Sequence, residues 1–460
     1  MTKALNFKNK IKNGRDLAIQ VVYLCEQEDM YSHVAWSQSL YGRDFDQREK
    51  KFAMELALGT LRRKATLDYV IQRYSKRKTA DIDPLTLNVL RTALYQMYFM
   101  GSVPKHSAVD EAVNSCKCLG NSKASGFVNA VLRKASAIDL EAELDSLSFD
   151  EATNMSIRHS YPKWIVERWI ETLGADGAEM MCVAQNKQPC VSARLNLLRG
   201  DVDEVSKVLK DEGLTVHPGN YLPEAVVLED VNPIEEYESF RSGHFTVQDE
   251  SSMLVAHVLG AKPSWKVADV CSAPGGKATH IAELMEDRGF VLACDVNARR
   301  VQMVRDVVDR LKLESVKVEQ CDAREISEKY DCDFDAVLVD APCSGLGVLS
   351  RRADSRWRKQ LQDVAELSQI QYDILESVCR LVKSGGVLVY STCTVERAEN
   401  QDLIGKFLSK HPEFRPYPVK RILNDISPHF SYLDDDQFFV QLLPYKDHVD
   451  GFFICKMEKL

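Results

Sequence analysis

The stretch Asp269–Lys277 (Asp-Val-Cys-Ser-Ala-Pro-Gly-Gly-Lys) constrains the fold of this chain more than any other. An apolar run, Trp265–Val270, leads into it, and a helix-forming run, Ala278–Met285, leads out. This order predicts a strand, a tight glycine turn and a helix, which together form the first unit of a doubly wound α/β domain. Because Gly275 and Gly276 lack Cβ atoms, a ligand can lie directly against the backbone where the helix begins.

From about residue 262, strand patterns alternate with helical ones, as a mostly parallel sheet requires. The predicted strands are 265–270, 290–294, 316–318, 334–339 and 387–390, followed by terminal strands 438–442 and 451–457. Asp295, Asp322 and Asp340 each follow one of these strands. Since ligands of open α/β sheets bind beyond the carboxyl ends of the strands, we predict the binding site there, within a domain spanning residues 256–460.

Residues 1–140 predict an all-α domain, because apolar residues recur at helical spacing. The helical segments are 16–24, 52–58, 67–71, 85–99, 108–116 and 127–132. This part carries 22 Lys and Arg against 14 Asp and Glu, although the whole chain has a net charge of −9. The cations of Arg62–Lys64 and Arg73–Lys78 could neutralise phosphates, but a solvated helix face is the commoner meaning of such a run.

Residues 141–255 predict an acidic linker followed by a small α+β subdomain. Strand patterns at 191–198 and 225–228 flank a helical pattern at about 202–213. The chain has no apolar run of the roughly 18 residues that a membrane span needs. Its first eight residues lack the apolar core of a signal peptide, so we expect a cytoplasmic protein.

The thirteen cysteines are spread without regular spacing, which favours a reducing compartment over a disulfide framework. No set of cysteines and histidines has zinc-ligand spacing, so no metal is predicted. We expect a monomer that does not bind membranes.

Two further motifs carry cysteines, Asp340–Gly345 (Asp-Ala-Pro-Cys-Ser-Gly) and Tyr390–Thr394 (Tyr-Ser-Thr-Cys-Thr). A thiolate is strongly nucleophilic and also a good leaving group, so a cysteine in such a motif can act in covalent catalysis. Either cysteine alone is more often a small buried apolar residue. The presence of both, each within its motif, favours the chemical role.

Together these motifs resemble those of the S-adenosylmethionine-dependent RNA cytosine-C5 methyltransferases of the NOL1/NOP2/Sun family. The resemblance implies a Rossmann-like class I methyltransferase domain with S-adenosylmethionine as cofactor. In it, Asp295 would accept hydrogen bonds from the ribose, Asp322 would face the adenine, and Arg300 could reach the same ligand. The implied cofactor-binding residues are Cys271, Ser272, Ala273, Pro274, Gly275, Gly276, Lys277, Asp295, Asp322 and Asp340.

The same resemblance separates the roles of the catalytic residues. It implies that Cys393 is the nucleophile, that Cys343 assists release of the product, and that Asp340 holds the edge of the base. DNA cytosine-C5 methyltransferases use the Pro-Cys position instead, which here is Cys343. The target base would have to leave its stack to reach the pocket.

The remaining segments extend the resemblance over nearly the whole chain. Asp110–Val113 and Phe127–Arg133 resemble a NusB-like RNA-binding domain, and Arg194–Asn196 resembles the small RNA-binding subdomain of the family. The cations and Trp357 of Arg351–Lys359 suit phosphate contact and base stacking. The combination implies small-subunit (16S) ribosomal RNA as substrate. The alternatives are the same chemistry on another RNA such as tRNA, or a non-catalytic RNA-binding assembly factor.

Overall fold

The computed structural model describes residues 10–101, 103–229 and 231–460. The segment behind the signal-peptide prediction, Met1–Lys8, lies outside the described residues. In chain order the α-helices are α1 (Gly14–Gln27), α2 (Ser32–Leu40), α3 (Gln47–Arg62), α4 (Lys64–Ser75), α5 (Pro84–Phe99), α6 (Lys105–Cys118), α7 (Ser125–Ser136), α8 (Leu140–Asp145), α9 (Glu151–His159), α10 (Lys163–Gln185), α11 (Val202–Asp211), α12 (Glu238–Arg241), α13 (Glu250–Leu259), α14 (Gly276–Leu284), α15 (Ala298–Leu311), α16 (Ser355–Arg358), α17 (Leu361–Val378), α18 (Gln401–Lys410), α19 (Lys420–Ile426) and α20 (Pro444–Asp447).

The strands are β1 (Val191–Leu195), β2 (Thr215–Pro218), β3 (Ala225–Glu229), β4 (Phe245–Val247), β5 (Lys266–Asp269), β6 (Phe290–Asp295), β7 (Val316–Gln320), β8 (Phe334–Asp340), β9 (Val382–Thr392), β10 (Phe414–Pro416), β11 (Phe439–Leu442) and β12 (Phe452–Lys459). The chain forms two compact units. The first contains residues up to Lys187 together with Leu349–Lys359, and the second contains Gln188–Val348 and Gln360–Leu460.

The first unit is helical and is built around one apolar core. All six predicted helical segments lie within helices α1 and α3–α7. The Asp83-Pro84 pair begins α5 because the Asp83 carboxylate accepts hydrogen bonds from the first backbone amides and Pro84 has no amide to satisfy. None of the helices within the described ranges combines the length and the apolar character that a bilayer crossing requires.

This unit extends past the predicted boundary at residue 140, because α9 packs on α4. The Thr66 hydroxyl donates to the Ile157 carbonyl at 2.6 Å, and the Ser160 hydroxyl accepts from the Ala65 amide at 2.8 Å. The predicted linker therefore contributes helices to the first unit.

In the second unit, a small antiparallel sheet of order β2-β3-β1-β4 carries α11. Its own core includes Ala193, Val205 and Phe245. This is the predicted α+β subdomain, and α11 begins at a capping box formed by Asp201 and Glu204.

The large sheet of the second unit has the order β10-β12-β9-β8-β5-β6-β7, with β11 paired to β12. Strands β5–β9 pair in parallel, whereas β12 is antiparallel to β9. This confirms the predicted Rossmann-like, mostly parallel sheet. The strand order reverses between β5 and β8, so the carboxyl ends of these two strands flank the expected ligand crevice.

Candidate active site

The turn between β5 and α14 has the predicted strand-to-helix geometry. The Ser272 amide donates to the Cys294 carbonyl at 2.7 Å, and the Gly275 amide donates to the Ser272 carbonyl at 2.7 Å. Gly275 has φ +106°, and a Cβ atom there would lie 3.3 Å from Val304 Cγ1. The positive φ strongly favours glycine, and the close approach of Val304 leaves little space for a side chain, so the sequence of the turn follows from its backbone path.

Arg194, from the segment that resembles the small RNA-binding subdomain, supports this turn. Its guanidinium is buried, and it donates to the Gly276 carbonyl at 2.8 Å and to the Glu283 carboxylate at 2.8 and 2.9 Å. It also hydrogen-bonds Gln248 and Thr279. A cation with four protein residues as acceptors is a structural group, because no donor remains for a phosphate.

Asp269 closes β5 and is the functional candidate that the sequence analysis missed. It is fully buried, and within the described ranges neither carboxylate oxygen accepts a hydrogen bond of normal geometry, although the Cys271 amide lies close enough to lower its pKa. Burial, reinforced by the charge of Asp340, raises the pKa of Asp269 to about 8. Its position at a strand end, like that of Asp295 and Asp340, was the available signal.

The structure brings Asp295 and Arg300 to the same turn. Asp295 closes β6 and is buried, its carboxylate accepts from the Asn297 amide at 2.9 Å, and Arg300 Nη1 lies 3.5 Å from it. Arg300 also donates to the Ala273 carbonyl at 2.8 Å. Desolvation and the nearby Asp269, Asp340 and Asp295 raise the pKa of the Cys271 thiol well above its usual range, so this cysteine stays neutral.

Asp322 follows β7 as predicted, but its carboxylate is engaged by a neighbour. Arg324 donates through Nη2 at 2.6 Å and through its backbone amide at 2.9 Å, and this side-chain bond lowers the pKa of Asp322. Of the predicted acidic groups, Asp322 therefore has the most fully occupied carboxylate.

Asp340 lies at the end of β8 between two donors. Lys277 Nζ donates to one carboxylate oxygen at 2.8 Å, and the Ser391 hydroxyl on β9 donates to the other at 2.8 Å. Lys277 is also 4.9 Å from the centre of the Phe452 ring. Lys277 thus joins the motif turn to Asp340, and Ser391 is a further site residue that the sequence analysis did not single out.

The structure brings the sulfur atoms of the two predicted cysteines into contact. Cys343 Sγ and Cys393 Sγ are 3.3 Å apart, and both residues are partly exposed. The hydrogen bond to Cys393, burial and the charge of Glu399 raise the pKa of Cys343 well above its usual range. The Cys343 thiol is therefore neutral and can donate its S–H to Cys393.

Glycines allow the two cysteine loops to approach this closely. The Gly347 amide donates to the Cys393 carbonyl at 3.0 Å, and the Gly451 amide donates to the Gly347 carbonyl at 2.9 Å. A Cβ atom on Gly347 would lie 2.1 Å from the Gly451 carbonyl oxygen, which no packing adjustment of a side chain can relieve.

Within the predicted RNA-contacting segment Arg351–Lys359, Arg351 and Arg352 are exposed, whereas Arg356 and Trp357 are engaged by the helical unit. Arg356 is fully buried in the first unit, donates to the Ser160 carbonyl at 3.2 Å and the Asn186 amide oxygen at 2.9 Å, and lies over the Tyr161 ring. Trp357 Nε1 donates to the Leu61 carbonyl at 2.7 Å. These side chains hold the segment to the helical unit, because acceptors within that unit occupy their donors.

The cations of the predicted basic cluster in the helical unit also differ in exposure and in pairing. Arg62 is buried, Arg63 stacks over Phe99, and Lys64 pairs with Glu26 at 3.1 Å. The cations Lys76 and Lys78 are exposed. Only the later part of the predicted cluster therefore has the exposure that phosphate binding needs.

Glu224, His257 and His280 form a buried group beside α14. His257 Nε2 lies 2.5 Å and His280 Nε2 lies 3.3 Å from the same Glu224 oxygen. Burial, with the nearby Arg194 charge, lowers the pKa of His280 to about 3, so this imidazole is neutral. His257 on α13 and His280 on α14 thus face the same buried carboxylate.

Comparison with known proteins covers all three regions. Residues 256–458 match the family described as 16S rRNA methyltransferase RsmB/F, and residues 12–137 match the NusB family. Residues 161–235 match the ferredoxin-like domain of RsmF/B-like methyltransferases. These matches confirm the predicted NusB-like domain and methyltransferase fold.

Full-length relatives are also found. The probable ribosomal RNA small subunit methyltransferase B of Bacillus subtilis (strain 168) is 36% identical over 97% of this chain and 98% of its own length. The protein of the same description from Synechocystis sp. is 33% identical over 97% of this chain and 99% of its own. The solved structure of PH0851 superposes with a TM-score of 0.80 at 28% identity, covering 97% of this chain and 98% of that one.

Proposed function

This chain belongs to the ribosomal RNA small subunit methyltransferase B family, and on that premise we propose that it methylates carbon 5 of a cytosine in small-subunit ribosomal RNA. The observation that carries the cytosine-C5 assignment is the pair of thiols, Cys343 and Cys393, 3.3 Å apart beside the Asp340 carboxylate. Covalent activation of a pyrimidine requires one nucleophilic thiol, and a second can assist release, whereas methylation of an exocyclic amine needs neither.

S-Adenosylmethionine is the implied methyl donor, and the residues present fit it. Among the described residues, the buried Asp269 carboxylate lacks a donor of normal geometry and can accept from a group such as an ammonium, and the buried Ser272 hydroxyl is also without a partner. Gly275 leaves the backbone open at the start of α14. When bound, the cofactor supplies an electrophilic methyl group.

Asp340 is proposed to hold the target base. Its carboxylate, fixed by Lys277 and Ser391, can accept a hydrogen bond from the cytosine amino group or from protonated N3. Stabilising the protonated ring makes carbon 6 more susceptible to attack, so this contact strengthens as the reaction proceeds.

Cys393 is proposed to be the nucleophile and Cys343 the group that assists release. Addition of the Cys393 sulfur to carbon 6 makes carbon 5 electron-rich, and loss of the carbon 5 proton with the Cys393 thiolate frees the methylated base. A neutral thiol at Cys343, 3.3 Å from Cys393 Sγ, is a suitable hydrogen-bond donor to the departing sulfur.

Covalent trapping tests this proposal. Wild type, Cys393→Ala and Cys343→Ala are incubated with S-adenosylmethionine and small-subunit ribosomal RNA carrying 5-fluorocytidine, whose fluorine blocks the final elimination. We expect a protein–RNA adduct with wild type and Cys343→Ala, and none with Cys393→Ala.

The other outcomes are informative. Loss of the adduct only in Cys343→Ala would exchange the two roles while preserving the reaction. If no variant traps an RNA that it demonstrably binds, the chain is a non-catalytic RNA-binding factor. Adducts formed with tRNA but not with ribosomal RNA would keep the chemistry and replace the substrate.

A further inference from the structure

Glu399 lies beneath the two cysteine loops and touches the neighbours of both. The residue is fully buried, follows the Cys393 loop by six positions, and belongs to the same compact unit as both cysteines. A buried carboxylate is unfavourable unless its oxygens accept hydrogen bonds. The hydrogen-bond partners of Glu399 are therefore the groups that the buried residue holds in place.

One set of partners belongs to the Cys343 loop. The Ser344 backbone amide donates to Glu399 Oε1 at 2.8 Å, and the Ser344 hydroxyl lies 2.5 Å from Oε2. Gln371 donates through Nε2 both to Glu399 Oε1 at 2.9 Å and to the Pro342 carbonyl at 2.9 Å. The residues on either side of Cys343 are thus tied to one carboxylate.

The other set of partners belongs to β9 and the Cys393 loop. The Ser344 hydroxyl is 2.8 Å from the Thr394 hydroxyl, the next residue after Cys393. Tyr390, at the start of the same motif, donates its hydroxyl to the Glu399 carbonyl at 2.7 Å. Ser344, Thr394 and Gln371 are all buried, so water does not compete for these bonds.

We propose that Glu399 is a positioning residue that fixes the Cys343 loop against the Cys393 loop and so holds the two sulfur atoms in reach of one base. This inference rests on the proposed function, but its geometry can be tested without turnover. The carboxylate hydrogen-bonds neither sulfur and fixes the loops through Ser344, Gln371 and Thr394, although its charge also raises the pKa of Cys343.

The activity-independent test measures the rate at which Cys343 and Cys393 form a disulfide when the protein is treated with diamide. The oxidant takes up the two thiol hydrogens, and the rate depends on the thiolate fraction as well as on how often the sulfur atoms approach, so each variant is compared with wild type over a range of pH. With the sulfurs 3.3 Å apart, wild type should form this disulfide readily. In Glu399→Ala we expect about a 10-fold slower reaction, because the two loops are no longer linked.

The second readout is the rate of adduct formation on 5-fluorocytidine RNA. Glu399→Ala should reduce it by about 10- to 100-fold at saturating RNA and cofactor, since small misplacements of reacting groups have effects of this size. Affinity for RNA and cofactor should stay within about twofold of wild type. Glu399→Gln should recover most of both rates, because an amide can accept from the Ser344 amide and donate to the Ser344 hydroxyl.

A matched control separates positioning from general destabilisation. Glu250 is a buried glutamate of the same unit whose carboxylate accepts from the backbone amides of Asn220, Tyr221 and Leu222 at 2.6–2.7 Å. Glu250→Ala should lose a comparable amount of stability without changing the rate of disulfide formation. Ser344→Ala removes only the bridging hydroxyl, and disulfide formation in it should have a rate between those of wild type and Glu399→Ala. This variant replaces Glu399→Ala in the test if Glu399→Ala does not fold.

The two hypotheses fail in different ways. Unchanged disulfide and adduct rates in folded Glu399→Ala and Ser344→Ala would overturn the positioning role. Equal slowing in Glu250→Ala would do the same, by showing that any loss of packing suffices. Absence of an adduct in wild type would reject the proposed function, while the disulfide rates would still decide the role of Glu399.

Discussion

The Cys343–Cys393 site and the segment Leu349–Lys359 are close in sequence. The residue types predicted a ligand for each: a target base for the two thiols, and RNA phosphates and bases for the cations and Trp357 of the segment. In the first, two partly exposed thiols face each other and a carboxylate is held between two donors. In the second, the guanidinium of Arg356 and the indole of Trp357 donate to main-chain carbonyls within the helical unit. The difference shows that reactive or charged residues indicate a ligand only when their hydrogen-bonding capacity is not already used by the protein.

The largest effect should come from Asp340. Asp340→Ala removes the acceptor for the base edge, and we expect methylation of small-subunit ribosomal RNA to fall by about 10²- to 10⁴-fold. The control is Asp335→Ala on the same strand, whose carboxylate accepts from the Lys266 amide and pairs with Lys383. Methyl incorporation from labelled S-adenosylmethionine measures both, and equal losses would show that strand integrity alone is being measured.

Arg356 should affect stability instead of chemistry. Arg356→Ala leaves the Ser160 carbonyl and Asn186 without a buried donor, and we expect a loss of about 2–4 kcal/mol in the free energy of unfolding of the helical unit. Arg358→Ala, which removes a pair with the exposed Asp29, should change it by less than about 1 kcal/mol. Urea unfolding followed by circular dichroism compares them. Weaker RNA binding by Arg356→Ala at unchanged stability would show that Arg356 contacts RNA and does not serve the stability of the helical unit.

The ionisation of Asp269 should make the affinity for S-adenosylmethionine depend on pH. Because its folded pKa is raised to about 8, the carboxyl is mostly protonated at neutral pH and must ionise to accept from an ammonium group. Affinity for S-adenosylmethionine should therefore rise as the pH approaches about 8 and fall again above it, because the α-ammonium group of the ligand, with an ordinary pKa of about 8, loses its proton over the same range. Calorimetric titration measures it. Asp269→Asn should bind more weakly and lose the rise, and a rise that persists in Asp269→Asn would exclude this residue as its source.

The smallest effect should come from the exposed cations of the helical unit. Lys76→Ala with Lys78→Ala should weaken RNA binding a few-fold at low salt, because each lysine can neutralise one phosphate. The slope of log affinity against log salt should become shallower by about one for each phosphate that these lysines neutralise. Lys64→Ala is the control, since Lys64 is already paired with Glu26. Equal slopes for wild type and both variants would remove this face from the RNA-binding surface.

The helices of the first unit and the parallel strands of the second were predictable because their signals are local. Helical periodicity marks α5 and α7, and the apolar runs mark β5 and β8 to within a residue or two. The turn at Gly275 was equally predictable, since side chains other than glycine rarely adopt its positive φ. By contrast, α9 and α10 join the first unit through packing on distant segments, which no local pattern encodes.

The sequence by itself determined which residue types stand at which strand end, and hence the sheet, the motif turn and the two cysteine motifs. Only the tertiary structure decided which polar groups meet. It buried Arg194 and Arg356, left Asp269 without a normal hydrogen bond among the described residues, and brought Cys343 within 3.3 Å of Cys393, fifty positions away. The physical reason is that desolvation and hydrogen-bond satisfaction depend on the surroundings supplied by distant segments, whereas periodicity and backbone preference are properties of the segment itself.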